Sequence, residues 1–270
     1  MYAAINQWSF PEMELRAMIK LAAQAGYTGF EPAFGVQGTL TPGTPPSVLR
    51  ELGSLAEDCG IRLTSLASAE YWQRQMVSPD KAVRDRAWSF LLRHLDAARE
   101  LGVGAILVVP GVVDENTPYD AAYDRTVEFL VRAAPEAKAA KVDILVENVW
   151  NNFLLSPLEA RSLLDQVASP SVGFYLDLGN VVKYGYPEQW IRILGSRIRR
   201  VHVKDYRRAC GTMEGFVDLL AGDVDFPACV DALSRIGYNG PLIAEMGGYR
   251  HYGDEVVFRT RAALERILRG

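Results

Sequence analysis

The chain is poor in the residues that staple a fold or chelate through sulfur. Its three cysteines, Cys59, Cys210 and Cys229, are odd in number and share no Cys-x-x-Cys spacing. That pattern argues against a disulfide framework or a zinc knuckle, and a reducing cytoplasm fits it best. No run of about 18 apolar residues exists, so no transmembrane helix is expected. The stretch Met1–Asn6 has no basic region leading into a long apolar one, so no signal peptide is expected either. The net charge is -4, with both signs mixed and no basic block, which leaves no electrostatic footprint for nucleic acid. No G-x-G-x-x-G turn follows the first strand-like run, which disfavours an open dinucleotide-binding sheet. The G-x-S-x-G turn of a hydrolase nucleophile is missing too. No short-period repeat is evident, which disfavours a solenoid.

What is present is an ordinary globular composition, 49% hydrophobic and 23% charged. At 270 residues the chain can bury a large core without staples. Short apolar runs alternate with helical patterns from end to end. Ala3–Ser9, Tyr27–Glu31, Ile61–Leu66 and Ala105–Val109 read as the first four strands. Runs ending in Glu147, Asp177, His202 and Glu245 read as the next four. Between them lie helical stretches near 11–25, 47–59 with Ser47 as N-cap, 80–101, and 119–140 with a kink or restart at Pro135. Later ones fall near 156–167, 187–194, 225–236 and 254–268. Eight strand-helix units with nearly continuous apolar strands predict an α/β fold, a (β/α)8 TIM barrel occupying 1–270 as a single domain.

Four of these strands close on a ligand-type side chain. Asp143-Ile144-Leu145-Val146 ends in Glu147, Val172–Leu176 in Asp177, Ile198–Val201 in His202, and Pro241–Ala244 in Glu245. Functional residues of such barrels gather where strands end, and neighbouring strands lie about 4.8 Å apart. Four adjacent strand ends can therefore surround one cation. Three carboxylates and one imidazole suit Mn²⁺, Mg²⁺, Co²⁺ or Zn²⁺. Taken singly, each is as readily a helix cap or an ion-pair partner; the signal lies in the set.

Strand parity places Lys204, two residues beyond His202, on the same side as that histidine. It is a candidate for substrate binding, against the alternative of a surface lysine paired with Asp205. Asn180, Arg208, Trp8 and Glu70 fall near strand ends and are further candidates for binding substrate. Glu31, Trp72 and Trp150 lie there too, where rim packing serves equally well. His94 sits among leucines inside a helix and reads as structural, whereas His251 falls in a late loop near the mouth.

With these residues the chain resembles the xylose isomerase-like TIM-barrel superfamily, which includes sugar and sugar-phosphate isomerases and epimerases. The matching pieces are Val146-Glu147-Asn148, Leu176-Asp177-Leu178-Gly179-Asn180, Val201-His202-Val203-Lys204-Asp205, Ile243-Ala244-Glu245 and Gly222–Phe226. The resemblance implies that Glu147, Asp177, His202 and Glu245 bind a divalent metal. It further implies that Glu147 and Glu245 are the acid/base pair of a ketose isomerase or epimerase acting through an enediolate. Arg208 falls where ketose epimerases of the family carry a substrate-contacting arginine. Asn180 departs from the histidine that free-ketose epimerases carry three residues after the aspartate, and Asp-x-Gly-Asn is closer to the pentulose-phosphate branch. An inosose-type dehydratase using the same metal site is the alternative. A DNA-repair endonuclease of the same superfamily would want more histidine and a basic groove. The expected partner is a small sugar or sugar phosphate, and assembly into a dimer or tetramer is an expectation from the resemblance alone.

Overall fold

Strands that are apolar on both faces need cover on both faces. The chain meets this by rolling its sheet around a filled interior and wrapping it in helices. In the computed structural model, which describes residues 1–269, the order opens with β1 (Tyr2–Asn6), α1 (Leu15–Gln24), β2 (Gly29–Glu31), α2 (Pro46–Asp58), β3 (Arg62–Leu63) and α3 (Lys81–Leu101). It continues with β4 (Ala105–Val108), α4 (Tyr119–Ala140), β5 (Asp143–Glu147), α5 (Pro157–Val167), β6 (Val172–Asp177), α6 (Leu178–Val182) and α7 (Pro187–Leu194). Then come β7 (Ile198–Val203), a small antiparallel pair β8 (Asp205–Tyr206) and β9 (Phe216–Val217), α8 (Phe226–Arg235), β10 (Pro241–Ala244) and α9 (Glu255–Arg269).

The eight long-sheet strands run parallel in the order β3-β2-β1-β10-β7-β6-β5-β4. The two ends of that order meet at a parallel bridge between Leu66 and Ile106. Two backbone hydrogen bonds make the bridge, Leu66 N–H to Ala105 O at 2.9 Å and Leu107 N–H to Leu66 O at 3.0 Å. The (β/α)8 barrel expected from the strand-helix alternation is thus the fold. Ile5, Phe30, Leu66, Ile106, Leu145 and Tyr175, all at 1% exposure or less, belong to the core on the two faces of the sheet.

Local boundaries differ from the sequence expectations for identifiable reasons. β1 stops at Asn6 because the Asn6 side chain accepts the Trp8 N–H and turns Gln7–Ser9 into a 3-10 turn. α2 starts at Pro46 behind Pro45, so Ser47 is inside the helix and caps nothing; proline is pre-organised for the first helical position. α4 runs unbroken through Pro135. Pro135 and Val131, whose carbonyl loses its partner, both lie on the solvent face, where water satisfies the orphaned group. α3 begins and ends as expected, with Asp80 accepting the Ala82 N–H and Gly102 taking the left-handed cap at φ 81°.

His94 is structural, as its leucine surroundings suggest. It is fully buried and stacks on Phe34 with ring centroids 5.3 Å apart. Its Nε2 meets the Leu66 carbonyl at 3.1 Å and its Nδ1 the Tyr71 hydroxyl at 3.1 Å. One irregularity sets the register of the site. Phe174 pairs with Ile198 but Tyr175 with Arg200, so β7 carries an extra residue at Arg199. That bulge advances β7 and brings His202 directly opposite Asp177. No helix of the described residues is long and apolar enough to cross a membrane.

Candidate metal centre

Strand ends deliver four side chains to one point. Glu147 is the last residue of β5 and Asp177 the last of β6. His202 lies one residue before the end of β7, and Glu245 follows β10 directly. One ligand atom from each lies within 4.8 Å of the others. His202 Nδ1 is 2.9 Å from Glu147 Oε1 and 3.0 Å from Glu245 Oε2. Asp177 and His202 are fully buried, Glu147 nearly so, and Glu245 is the most open at 20% side-chain exposure.

The backbone around Asp177 is held from two sides. Asn148 accepts the Asp177 N–H at 2.8 Å and donates to the Asp177 carbonyl at 3.0 Å. Asp177 Oδ1 accepts the Asn180 N–H at 2.7 Å, and Asn180 Nδ2 donates to the Asn148 carbonyl at 3.0 Å. Gly179 is required here, because a Cβ on it would stand 2.7 Å from Lys204 Cβ and 3.0 Å from that residue's carbonyl group. Asp177 Oδ2 points into the site. Lys204 Nζ is 3.0 Å away but off the hydrogen-bonding direction, so this buried oxygen has no hydrogen bond among the described residues. A buried carboxylate oxygen without a donor calls for an explanation.

The imidazole supplies that explanation. Its second nitrogen, Nε2, is 2.7 Å from Glu31 Oε2, and Glu31 is fully buried at the end of β2. Glu31 also accepts from Asn6 Nδ2 at 2.6 Å, from Tyr175 Oη at 2.6 Å and from Ser65 Oγ. A carboxylate at Nε2 fixes the proton there and turns the Nδ1 lone pair to the centre. Nδ1 then faces two carboxylate oxygens. Two species satisfy that geometry: an imidazolium, or a neutral ring with a cation among the four groups. The cluster therefore fits a divalent cation, and three oxygen donors with one nitrogen suit a hard or borderline one.

The same crowding sorts the charges. Burial and the Glu245 charge outweigh the pull of His202 and lift Glu147 to about 7. Glu245 is held low: burial opposes ionisation, but Lys204 and His202 overcome it. Asp177 is raised, by burial foremost, against the pull of Lys204. His202 is raised well above its ordinary value because Glu31 and Glu245 outweigh its burial. Lys204 stays protonated, its desolvation offset by Asp177 and Glu245.

Glu147 and Glu245 of the cluster line an open cavity of about 650 Å³. Trp8, Trp72, Trp150, Asn180 and Lys204 line it, so parity placed the lysine on the correct side. Lys204 Nζ lies 2.8 Å from Glu245 Oε2, and Asp205 instead accepts the backbone N–H groups of Tyr206, Gly222 and Val224. The β8–β9 pair, invisible in the sequence, brings Phe216 and Met213 to the wall. Two candidates lie apart. Glu70 accepts the Val36 N–H at 2.9 Å and pairs with Arg74 at 3.3 Å, bordering a separate, smaller cavity beside Trp8. Arg208 lays its guanidinium on the Gly185 carbonyl and the Tyr186 ring, outside the main cavity lining. His251 is exposed and outside that lining as well. Glu31 is the residue whose role sequence reasoning missed, although its own strand also closes on a carboxylate.

A sequence profile of the xylose isomerase-like TIM barrel family matches residues 19–268. The chain belongs to that family. Among curated proteins it is 28% identical over 193 residues to the putative L-ribulose-5-phosphate 3-epimerase SgbU of Escherichia coli (strain K12), covering 70% of this chain and 68% of that one. It is 30% identical over 194 residues to the 2-epi-5-epi-valiolone 7-phosphate 2-epimerase of an Actinoplanes species, covering 70% and 67%. Among solved structures it superposes on the D-psicose 3-epimerase of Clostridium cellulolyticum H10 crystallised with D-tagatose, at TM-score 0.82 and 21% identity over 99% of both chains. It also superposes on the IOLI protein with a binding zinc atom, at TM-score 0.85 and 18% identity over 99% of this chain and 98% of that one. These last two establish likeness of fold.

Proposed function

We propose that the protein is a divalent-metal-dependent epimerase or isomerase of a ketose, with Glu147 and Glu245 as its acid/base pair. One observation carries the reading. Two glutamates meet the same imidazole nitrogen and both line an open cavity, where one substrate carbon can come within reach of two carboxylates. Relatives named as epimerases support the reaction class.

Glu147, Asp177, His202 and Glu245 would hold the cation, which when bound polarises a substrate carbonyl and stabilises charge developing on its oxygen. A C–H beside a carbonyl then becomes acidic enough for a carboxylate. One of the two, Glu147 or Glu245, is ionised and takes that proton; the other, protonated in turn by the substrate hydroxyl or solvent water, returns one to the opposite face of the enediolate. The reverse reaction exchanges the two roles. Lys204 holds Glu245 in place and offers an ammonium to a substrate oxygen. Trp8, Trp72 and Trp150 exclude water and give the apolar face of a sugar a surface to lie on.

The test is exchange of the substrate C–H with solvent deuterium on a ketose panel, with the metal supplied. Glu147→Gln and Glu245→Gln should each lower exchange by at least about a hundredfold, the scale of general acid–base catalysis. Exchange that survives both substitutions would remove the two-base reading. Lys204 motivates a second reading, because an ammonium beside the base can also protonate a departing hydroxide. A dehydratase would release a product lighter by one water, which mass spectrometry separates from an epimer.

A further inference from the structure

The two sequence relatives named above act, by name, on phosphorylated substrates, but the described residues that line the cavity here offer no free cation to that charge. Phosphate recognition uses guanidinium forks, ammonium groups or helix N-termini. Among the described residues lining the cavity, Lys204 is the one cation, and it is held between Asp177 and Glu245. Arg250 and His251, exposed on the loop after Tyr249, lie outside that lining, and other basic side chains of the neighbouring loops are engaged. Arg74 pairs with Glu70, Arg207 donates to the Ala221 carbonyl, Arg208 donates to the Gly185 carbonyl, and Lys183 sits 4.1 Å from the Trp150 ring centroid.

The walls carry the opposite charge. Asp205, Asp218, Glu147 and Glu245 line the cavity, with Asp177 beneath. Even a divalent cation together with Lys204 leaves these five carboxylates in excess. Asp218 stands at the rim, exposed, accepting a 2.8 Å hydrogen bond from the Tyr249 hydroxyl. The remaining lining is aromatic and aliphatic, led by Trp8, Trp72, Trp150 and Phe216. Rings with an acidic rim suit hydroxyl groups and C–H faces and repel a dianion.

We infer that the cavity takes an uncharged polyhydroxy ketone laid against the tryptophan wall, and that Asp218 sets its discrimination against the phosphorylated counterpart. The ketone in this statement rests on the reaction proposed above; the exclusion of phosphate rests on the lining alone.

Binding separates the two. Ribitol and ribitol 5-phosphate, which cannot turn over, are titrated into the metal-loaded protein at low salt and followed by tryptophan fluorescence. Ribitol should bind at least about tenfold more tightly, and the gap should shrink as salt screens the repulsion. Asp218→Asn should narrow it by about threefold, on the same Coulombic argument. Tighter binding of ribitol 5-phosphate, or binding of neither polyol, overturns this inference. Tighter binding of ribitol without deuterium exchange on any ketose leaves the inference standing and removes the epimerase reading.

Discussion

Replacing Glu31 by glutamine tests how the imidazole is held. Glu31 Oε2 meets His202 Nε2 at 2.7 Å in a fully buried, charge-assisted contact. A hydrogen bond to a charged group contributes about 1.5–3 kcal/mol. Loss of a carboxylate behind a metal-binding histidine typically weakens metal binding by about 10–100-fold. Glutamine keeps the shape and one acceptor. Its amide nitrogen can turn toward Ser65 and Tyr175, whose hydroxyls can rotate to accept, while its oxygen stays on His202 and Asn6. The expected loss is therefore at the low end, about tenfold in Mn²⁺ or Zn²⁺ affinity, with the fold retained. A chelator-competition titration reads the affinity, and thermal unfolding of the metal-free protein controls for the fold. A dissociation constant within twofold of wild type would refute the role of Glu31, provided Asp177→Asn weakens binding in the same assay.

Other consequences are as direct. Metal affinity should fall as pH drops through 7, by at least about tenfold per pH unit, because His202, raised well above its ordinary value, and Glu147, lifted to about 7, must both lose a proton to bind; an affinity flat between pH 6 and 8 would contradict this. Lys204→Met should raise metal affinity by removing a neighbouring cation, and lower kcat by about a hundredfold if the ammonium serves the transition state. Gly179→Ala should destabilise the fold by about 1–3 kcal/mol, the usual penalty of overpacking, read from urea unfolding. Burial drives His94 down to about 3 from 6.5, so the unfolded chain takes up its proton first and stability falls as pH drops below 6.5. By pH 5 the loss should be about 2 kcal/mol, and His94→Gln should flatten that part of the profile.

The barrel and its four strand-end ligand groups were legible because each apolar run stops on a side chain that can hold a cation. Periodicity also placed Lys204, since side-chain direction along a strand depends only on counting. Glu31 obeys the same rule, but its strand is only Gly29-Phe30-Glu31, and a three-residue run gives too little pattern to weigh. Its contacts join residues up to 171 positions apart, a separation that no local signal encodes. The β8–β9 pair depends on Tyr206 meeting Phe216, ten positions on, and neither strand has enough length to alternate. The bulge at Arg199 leaves no mark in composition, although it decides which residue faces Asp177.

The bridge at Leu66 and Ile106 makes the barrel's seam lopsided. Every other junction is a ladder, whereas this one rests on two backbone hydrogen bonds and on His94, which grips the same Leu66 carbonyl from outside. Ser68, Trp72 and Leu107 flank it on the cavity wall, and of the strands that carry the four ligand-type groups β5 pairs directly with β4, whereas β7 and β10 lie farther round the barrel. The Leu66 and Leu107 amides should accordingly be the first of the barrel staves to exchange with solvent, and faster once His94 is charged. The cavity wall can open there while β7 and β10, which carry His202 and lead into Glu245, stay paired with each other.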